Sequence, residues 1–134
     1  VPRVEAALAD GDPKAWVDAF FSFVCPGLWG ALDEADRDRF RANADIGLED
    51  LKSPSLAVTA ADLGSVTTPT LVIAGALSHP TFLSVARGLA AALPDARYLE
   101  LEGSGHVTYF EQADAFAGAL AAFATEVDPR AVPR

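Results

Sequence analysis

Pro69-Thr70-Leu71-Val72-Ile73-Ala74-Gly75 is a short, unbroken apolar run entered through a proline. Such a run predicts a buried parallel strand, with proline tolerated at its first position. Downstream, Phe82, Val85, Ala86, Leu89, Ala90 and Leu93 recur at helical spacing, with Ser78 or Thr81 as the expected cap and Pro94-Asp95 as the stop. Arg97-Tyr98-Leu99-Glu100-Leu101 alternates and predicts a second, half-exposed strand. Glu102-Gly103-Ser104-Gly105-His106 forms a tight loop. A last helix is expected from about Glu111 to Glu126, marked by Phe110, Ala113, Phe116, Ala117, Leu120 and Phe123. Residues 70–101 thus make one parallel strand–helix–strand unit. Two parallel strands with apolar faces are too few for a stable sheet. The pattern therefore implies that more sheet comes from elsewhere.

Working upstream, Lys52 to Thr68 is rich in Ser, Thr, Pro and Gly and is expected to be a connection. Before it the sequence is helical. Asp12-Pro13 is a helix start, with Asp as cap and Pro at the first turn. Trp16, Val17, Phe20, Phe21, Phe23 and Val24 then surround that helix, more apolar surface than a lone surface helix carries. Cys25-Pro26-Gly27 is expected to end it. A second helix from about Asp33 to Ala44 places acids early and arginines late, in keeping with the helix dipole. A short third helix is expected around Ile46 to Leu51. The aromatic group Trp16, Phe20, Phe21, Phe23 and Trp29 suits packing onto another part of a domain. Alternatively Trp16, Phe20, Phe21 and Trp29 line an apolar substrate pocket.

Composition excludes several classes. Of 134 residues, 51% are hydrophobic and 22% charged, which argues against intrinsic disorder. The net charge of −9 would repel nucleic acid and anionic membranes. One cysteine allows no internal disulfide, and with two histidines it leaves little material for zinc, so no metal is expected. Cys25 is expected to be a buried free thiol, since no Lys or Arg lies between Lys14 and Arg37 to activate it. No apolar run reaches the ~20 residues of a membrane helix, and no signal-peptide pattern opens the chain, so a cytoplasmic setting is expected. The chain has no methionine, which reads as the mark of a piece cut from something longer.

As an ordered set, PTLVIAG, ALS, the helix to Leu93, PDARYLELEGSGH and VTYFEQADAFAGALAAF resemble the C-terminal part of the α/β-hydrolase superfamily. The resemblance covers about 60 residues, from Pro69 to Phe123. It implies an α/β fold: the C-terminal portion of an α/β-hydrolase, residues 61–127, preceded by a helical cap or lid over residues 1–60 and followed by a frayed tail at 128–134. It also implies that His106 matches the catalytic histidine. Chemistry fits independently. A glycine-flanked loop after a strand can present an imidazole at a sheet edge, and imidazole titrates near neutrality as a general base must. The competing reading is a histidine that caps the last helix or bonds a backbone carbonyl.

Two departures stand out. The acid of the family is expected at the fourth position of Gly75-Ala76-Leu77-Ser78, where Ser78 cannot stabilise an imidazolium as a carboxylate does. Asp62 and Glu102 are candidates for that acid within the chain; a position upstream of Val1 is another. Secondly, no Gly-x-Ser-x-Gly elbow and no oxyanion motif are present. In the family both precede the cap, so the nucleophile is expected upstream of this chain. Gly103-Ser104-Gly105 matches a dinucleotide-binding loop only partly, because Thr108 stands where the third glycine belongs and Glu102 and Glu111 would repel a pyrophosphate. His79, before Pro80, is expected to be exposed. Ser104 is not on an elbow of the family's type and is not expected to be the nucleophile.

The resemblance implies a hydrolase of small, fairly apolar esters, lactones or related acyl compounds, needing no cofactor, with the isolated chain inactive. An aspartate nucleophile of the epoxide hydrolase or dehalogenase kind is a variant. A non-catalytic binding or assembly module, motivated by Ser78, is the alternative. The expected partners are a small-molecule substrate and either the N-terminal part of the same fold or further copies of this chain.

Overall fold

The apolar run of residues 70–75 forms a strand, and among the described residues it pairs with one neighbour. The computed structural model describes residues 2–52 and 57–128, with side chains described for 4–50 and 57–128. The polypeptide divides into two compact units, residues 1–56 and 57–134. The expected frayed tail falls largely at 129–134, outside the described residues.

The first unit contains α1 (Pro2–Asp10), α2 (Pro13–Val24), α3 (Pro26–Ala31), α4 (Glu34–Arg41) and α5 (Ala44–Lys52). Asp12 caps α2 as expected, its carboxylate accepting from the backbone N–H groups of Lys14 and Ala15 at 2.9 and 3.2 Å. α2 is the hub on which α1, α3, α4 and α5 pack. That explains why it is apolar around most of its circumference. Ala7, Trp16, Val17, Trp29 and Ala44 form the buried core. Burying a side chain such as Val17, which is 2% exposed, is worth roughly 1.5–3 kcal/mol.

Three local expectations are corrected here. Cys25-Pro26-Gly27 ends α2 but also begins α3, because a proline that closes one helix suits the first turn of the next. The helix expected to reach Ala44 stops at Arg41; Asn43 interrupts it, donating its side-chain amide to the Arg39 carbonyl and accepting from Ile46 N–H. α1, whose acids and alanines carry little periodicity, was not expected.

The second unit contains α6 (Ala60–Gly64), β1 (Thr70–Gly75), α7 (Pro80–Ala92), β2 (Ala96–Leu101), α8 (Thr108–Glu111) and α9 (Ala113–Val127). β1 and β2 pair in parallel, in register from Thr70 opposite Ala96 to Gly75 opposite Leu101. α7, the crossover between them, packs on both strands. Val72 and Ala74 are buried, while Leu71 and Ile73 are only half-buried. α6 corrects the reading of 52–68 as a plain connection: Thr59 and Asp62 form a reciprocal capping box that sustains a single turn. The expected last helix is split in two at Gln112, where the backbone leaves the helical region. The cap of α7 is His79 rather than Ser78 or Thr81; its Nδ1 accepts from Thr81 N–H at 3.3 Å. Pro80 then fills the first helical position, where no N–H is needed.

Candidate functional site

Parallel pairing puts the C-terminal ends of β1 and β2 side by side, and the two loops that follow are laced together. Ala76 N–H donates to the Leu101 carbonyl at 2.9 Å, and Leu77 N–H donates to the Ser104 carbonyl at 2.8 Å. The approach is so close that only glycine fits at 75. A methyl there would stand 1.9 Å from the Gly105 carbonyl oxygen and 2.5 Å from that of Ser104. Gly103 adopts φ +72°, the left-handed conformation that turns the chain out of β2.

This turn presents His106. The residue is exposed overall, yet its ring lies against Phe82 of α7, centroids 4.1 Å apart and planes tilted by 34°. Burial pushes the His106 pKa below its ordinary value of 6.5, and the negative charge of Glu111 opposes that fall. Among the described residues no hydrogen-bond partner holds the His106 ring. Phe82 also meets His79 edge-on at 6.4 Å.

Glu111, at the end of α8, secures the same loop. Its carboxylate accepts a short hydrogen bond from Gly105 N–H and a longer one, 3.4 Å, from the hydroxyl of fully buried Ser104. A side chain at 105 would begin 2.9 Å from that carboxylate, so Gly105 is what lets Glu111 reach the backbone.

The other residues singled out in the sequence sort as follows. Ser78 lies in the turn after β1, 8% exposed, its N–H donating to the Gly75 carbonyl at 2.9 Å. Asp62 is engaged in the α6 capping box, where the hydroxyl and backbone N–H of Thr59 hold its carboxyl below the usual range. Glu102 is exposed. Cys25 is buried at the α2–α3 junction. Phe82 and Glu111 were not recognised in the sequence as parts of this site. In the sequence Phe82 reads as one of the apolar positions at helical spacing, and Glu111 as the start of the last helix and a charge that would repel a pyrophosphate.

In the first unit, Trp16, Phe20 and Phe21 line an apolar cleft of about 520 Å³, together with Phe40, Ile46 and Gly47; Asn43 and Asp50 are its polar members. Trp29 does not line it. Trp29 instead stacks on Phe21 at 5.0 Å, with the Arg37 guanidinium over the Trp29 ring at 5.7 Å and Arg37 Nε donating to the Trp29 carbonyl at 3.1 Å. Among the described residues no group of three or more His, Cys, Asp or Glu side chains is placed to hold a metal ion. No described helix is long and apolar enough to cross a membrane.

No protein-family model matches the sequence. The chain is 29% identical over 131 residues to a segment of the polyketide synthase ThaQ of Burkholderia thailandensis, covering 90% of this chain and 6% of that protein. Among solved structures it is similar to MenH from S. aureus, with a TM-score of 0.65 at 19% identity. That match covers 93% of this chain and 49% of the other. An α/β hydrolase from Sphaerobacter thermophilus matches with a TM-score of 0.64 at 28% identity, covering 91% and 48%. The chain thus spans about half the length of the solved structures it resembles. Together with the paired parallel strands and the loops at their C-terminal ends, these matches show that the chain has the fold of about half an α/β-hydrolase, consistent with its C-terminal portion.

Proposed function

We propose that this chain supplies the general base of an acyl hydrolase, with His106 as that base. The observation that carries the proposal is the position of His106 on the loop after β2, at the C-terminal edge of a parallel sheet, where α/β folds gather their reacting groups. The nucleophile comes from residues outside this sequence, which contains no Gly-x-Ser-x-Gly. In the proposed cycle the neutral imidazole takes the proton of an attacking hydroxyl, then returns it to the leaving group. A lowered pKa keeps the ring neutral and ready to accept at neutral pH. The substrate is a small, fairly apolar ester, lactone or related acyl compound. Likeness to a segment of a polyketide synthase suits an acyl substrate. Within the helical unit by itself, the cleft around Trp16, Phe20 and Phe21 is proposed to hold an apolar group. By itself the chain is proposed to be inactive and to rely on the rest of the fold, or on further copies of itself, to complete its two-stranded sheet.

A second reading, a non-catalytic binding module of the same fold, is favoured by Ser78 at the position where the family places its acid. The two separate in one assay. The natural polypeptide that carries this sequence is offered p-nitrophenyl esters and thioesters of graded chain length. Hydrolysis that rises with apolar acyl length supports the enzyme; no turnover on any member of the panel favours the binding module.

A further inference from the structure

We propose that Glu111 is the positioning carboxylate of His106, fixing the backbone that carries the ring and supplying the negative charge that Ser78 cannot supply. This rests on the reading of His106 as the general base.

Three observations converge on it. Glu111 accepts from Gly105 N–H, the peptide immediately before His106, so the carboxylate sets the direction in which the chain enters that residue. The hydroxyl of fully buried Ser104 lies 3.4 Å from that carboxylate and 3.4 Å from the Gly105 carbonyl, so it bridges the same stretch of loop. Gly105 leaves open the space, 2.9–3.0 Å from both carboxylate oxygens, that any side chain would fill. The arrangement therefore delivers an ionised group to a glycine loop and keeps it there.

Its charge acts on the imidazole. Of the groups around His106, Phe82 on α7 contributes burial and no charge, and Ser78 is neutral. His79, at the start of α7, meets the edge of the same Phe82 ring and, as the cap of α7, accepts from Thr81 N–H. Glu102, earlier in the loop, and Tyr109, in α8, are exposed. Glu111 is the carboxylate whose field favours the protonated ring, against the burial that disfavours it. An imidazolium formed during acyl transfer would feel that field, as it would feel the acid of a triad. Glu111 touches neither substrate nor reacting atoms; it works through His106 and its loop.

The test is an NMR titration of the natural polypeptide that carries this sequence, with its histidines isotope-labelled and the His106 ring signals assigned by their loss in His106→Gln, in wild type, Glu111→Gln and Glu111→Ala. Glutamine keeps an oxygen to accept from Gly105 but removes the charge. The expected result is a titration midpoint for His106 at lower pH in Glu111→Gln. Protection of the Gly105 amide from exchange should persist in Glu111→Gln and be lost in Glu111→Ala. An unchanged His106 midpoint in Glu111→Gln overturns the proposal, because a merely structural Glu111 would leave the midpoint in place. Should the Glu111 variants fail to fold, the salt dependence still decides. A salt-independent His106 midpoint overturns the proposal, since the field of a nearby carboxylate would be screened, and so does a fall with salt that Glu102→Gln abolishes; a fall that persists in the Glu102→Gln variant supports it. Failure of the hydrolase reading would show differently, as ester turnover that is absent or indifferent to His106.

Discussion

The α-carbon of Gly75 and the carbonyl of Gly105 lie in such close contact that one added methyl would stand 1.9 Å from the oxygen. Backbone on both sides leaves nothing flexible to yield. Gly75→Ala is therefore expected to push the two strand-end loops apart. A cost of about 1–3 kcal/mol is expected from overpacking, read as a lower midpoint in urea denaturation. A wild-type midpoint would mean that the loops are not laced as described.

Phe82→Ala should move the His106 titration the other way from the loss of Glu111. Burial is the larger cause of its depressed pKa, and the Phe82 ring lies against the imidazole, so removing that ring is expected to return the midpoint toward 6.5. The sign for stability follows. A histidine whose native pKa lies below its unfolded value costs stability as pH falls through about 6.5 toward the native value, and costs nothing above that range. Wild type should thus lose stability on acidification across that window. The loss should shrink in Phe82→Ala and vanish in His106→Gln, as read by thermal unfolding at a series of pH values.

Gly47 is the counterpart of Gly75 in the helical unit. A methyl at 47 would meet the Trp16 ring at 2.8–2.9 Å, and both residues line the cleft. Gly47→Ala is expected to displace Trp16 and alter the cleft. The check is a changed tryptophan emission spectrum and weaker uptake of an apolar fluorescent probe. Unaltered emission and uptake would contradict the described contact.

Arg41 gathers three carboxylates of the helical unit. It donates to both oxygens of Asp18 at 2.8 and 3.0 Å, to Glu34, and to Asp38 at 2.9 Å. These bonds raise its pKa further above an already high value. Lysine lacks the planar fork needed to bond Asp18 at two points. Arg41→Lys should lower the thermal midpoint of the helical unit, and the difference from wild type should narrow in high salt. Equal midpoints in low salt would show that the network adds nothing.

Much of the second unit was legible because its signals are local. A proline-led apolar run, helical spacing from Phe82 to Leu93 and an alternating strand each specify an element through their own residues. The glycine loop before His106 was legible for the same reason. What escaped depends on partners distant in sequence or on short-range capping. Glu111 looks like any charge at a helix start until the fold brings its carboxylate to Gly105. Phe82 looks like ordinary core until it meets His106. α6 rests on a capping box inside a stretch whose composition is that of a loop. α3 follows a proline that reads equally well as a stop. Trp29 was grouped with the cleft residues by its aromatic character, but its place against Phe21 depends on how α3 packs against α2.

The central claim is that His106 is a general base for acyl hydrolysis, and the direct measurement compares the natural polypeptide carrying this sequence with its His106→Ala variant. The readout is kcat/KM on the best ester of the panel, with folding of both proteins checked by circular dichroism. Loss of a general base from a nucleophile–histidine pair is expected to cost on the order of 10³-fold or more. A fall of that size supports the assignment. Turnover undiminished in His106→Ala would contradict it.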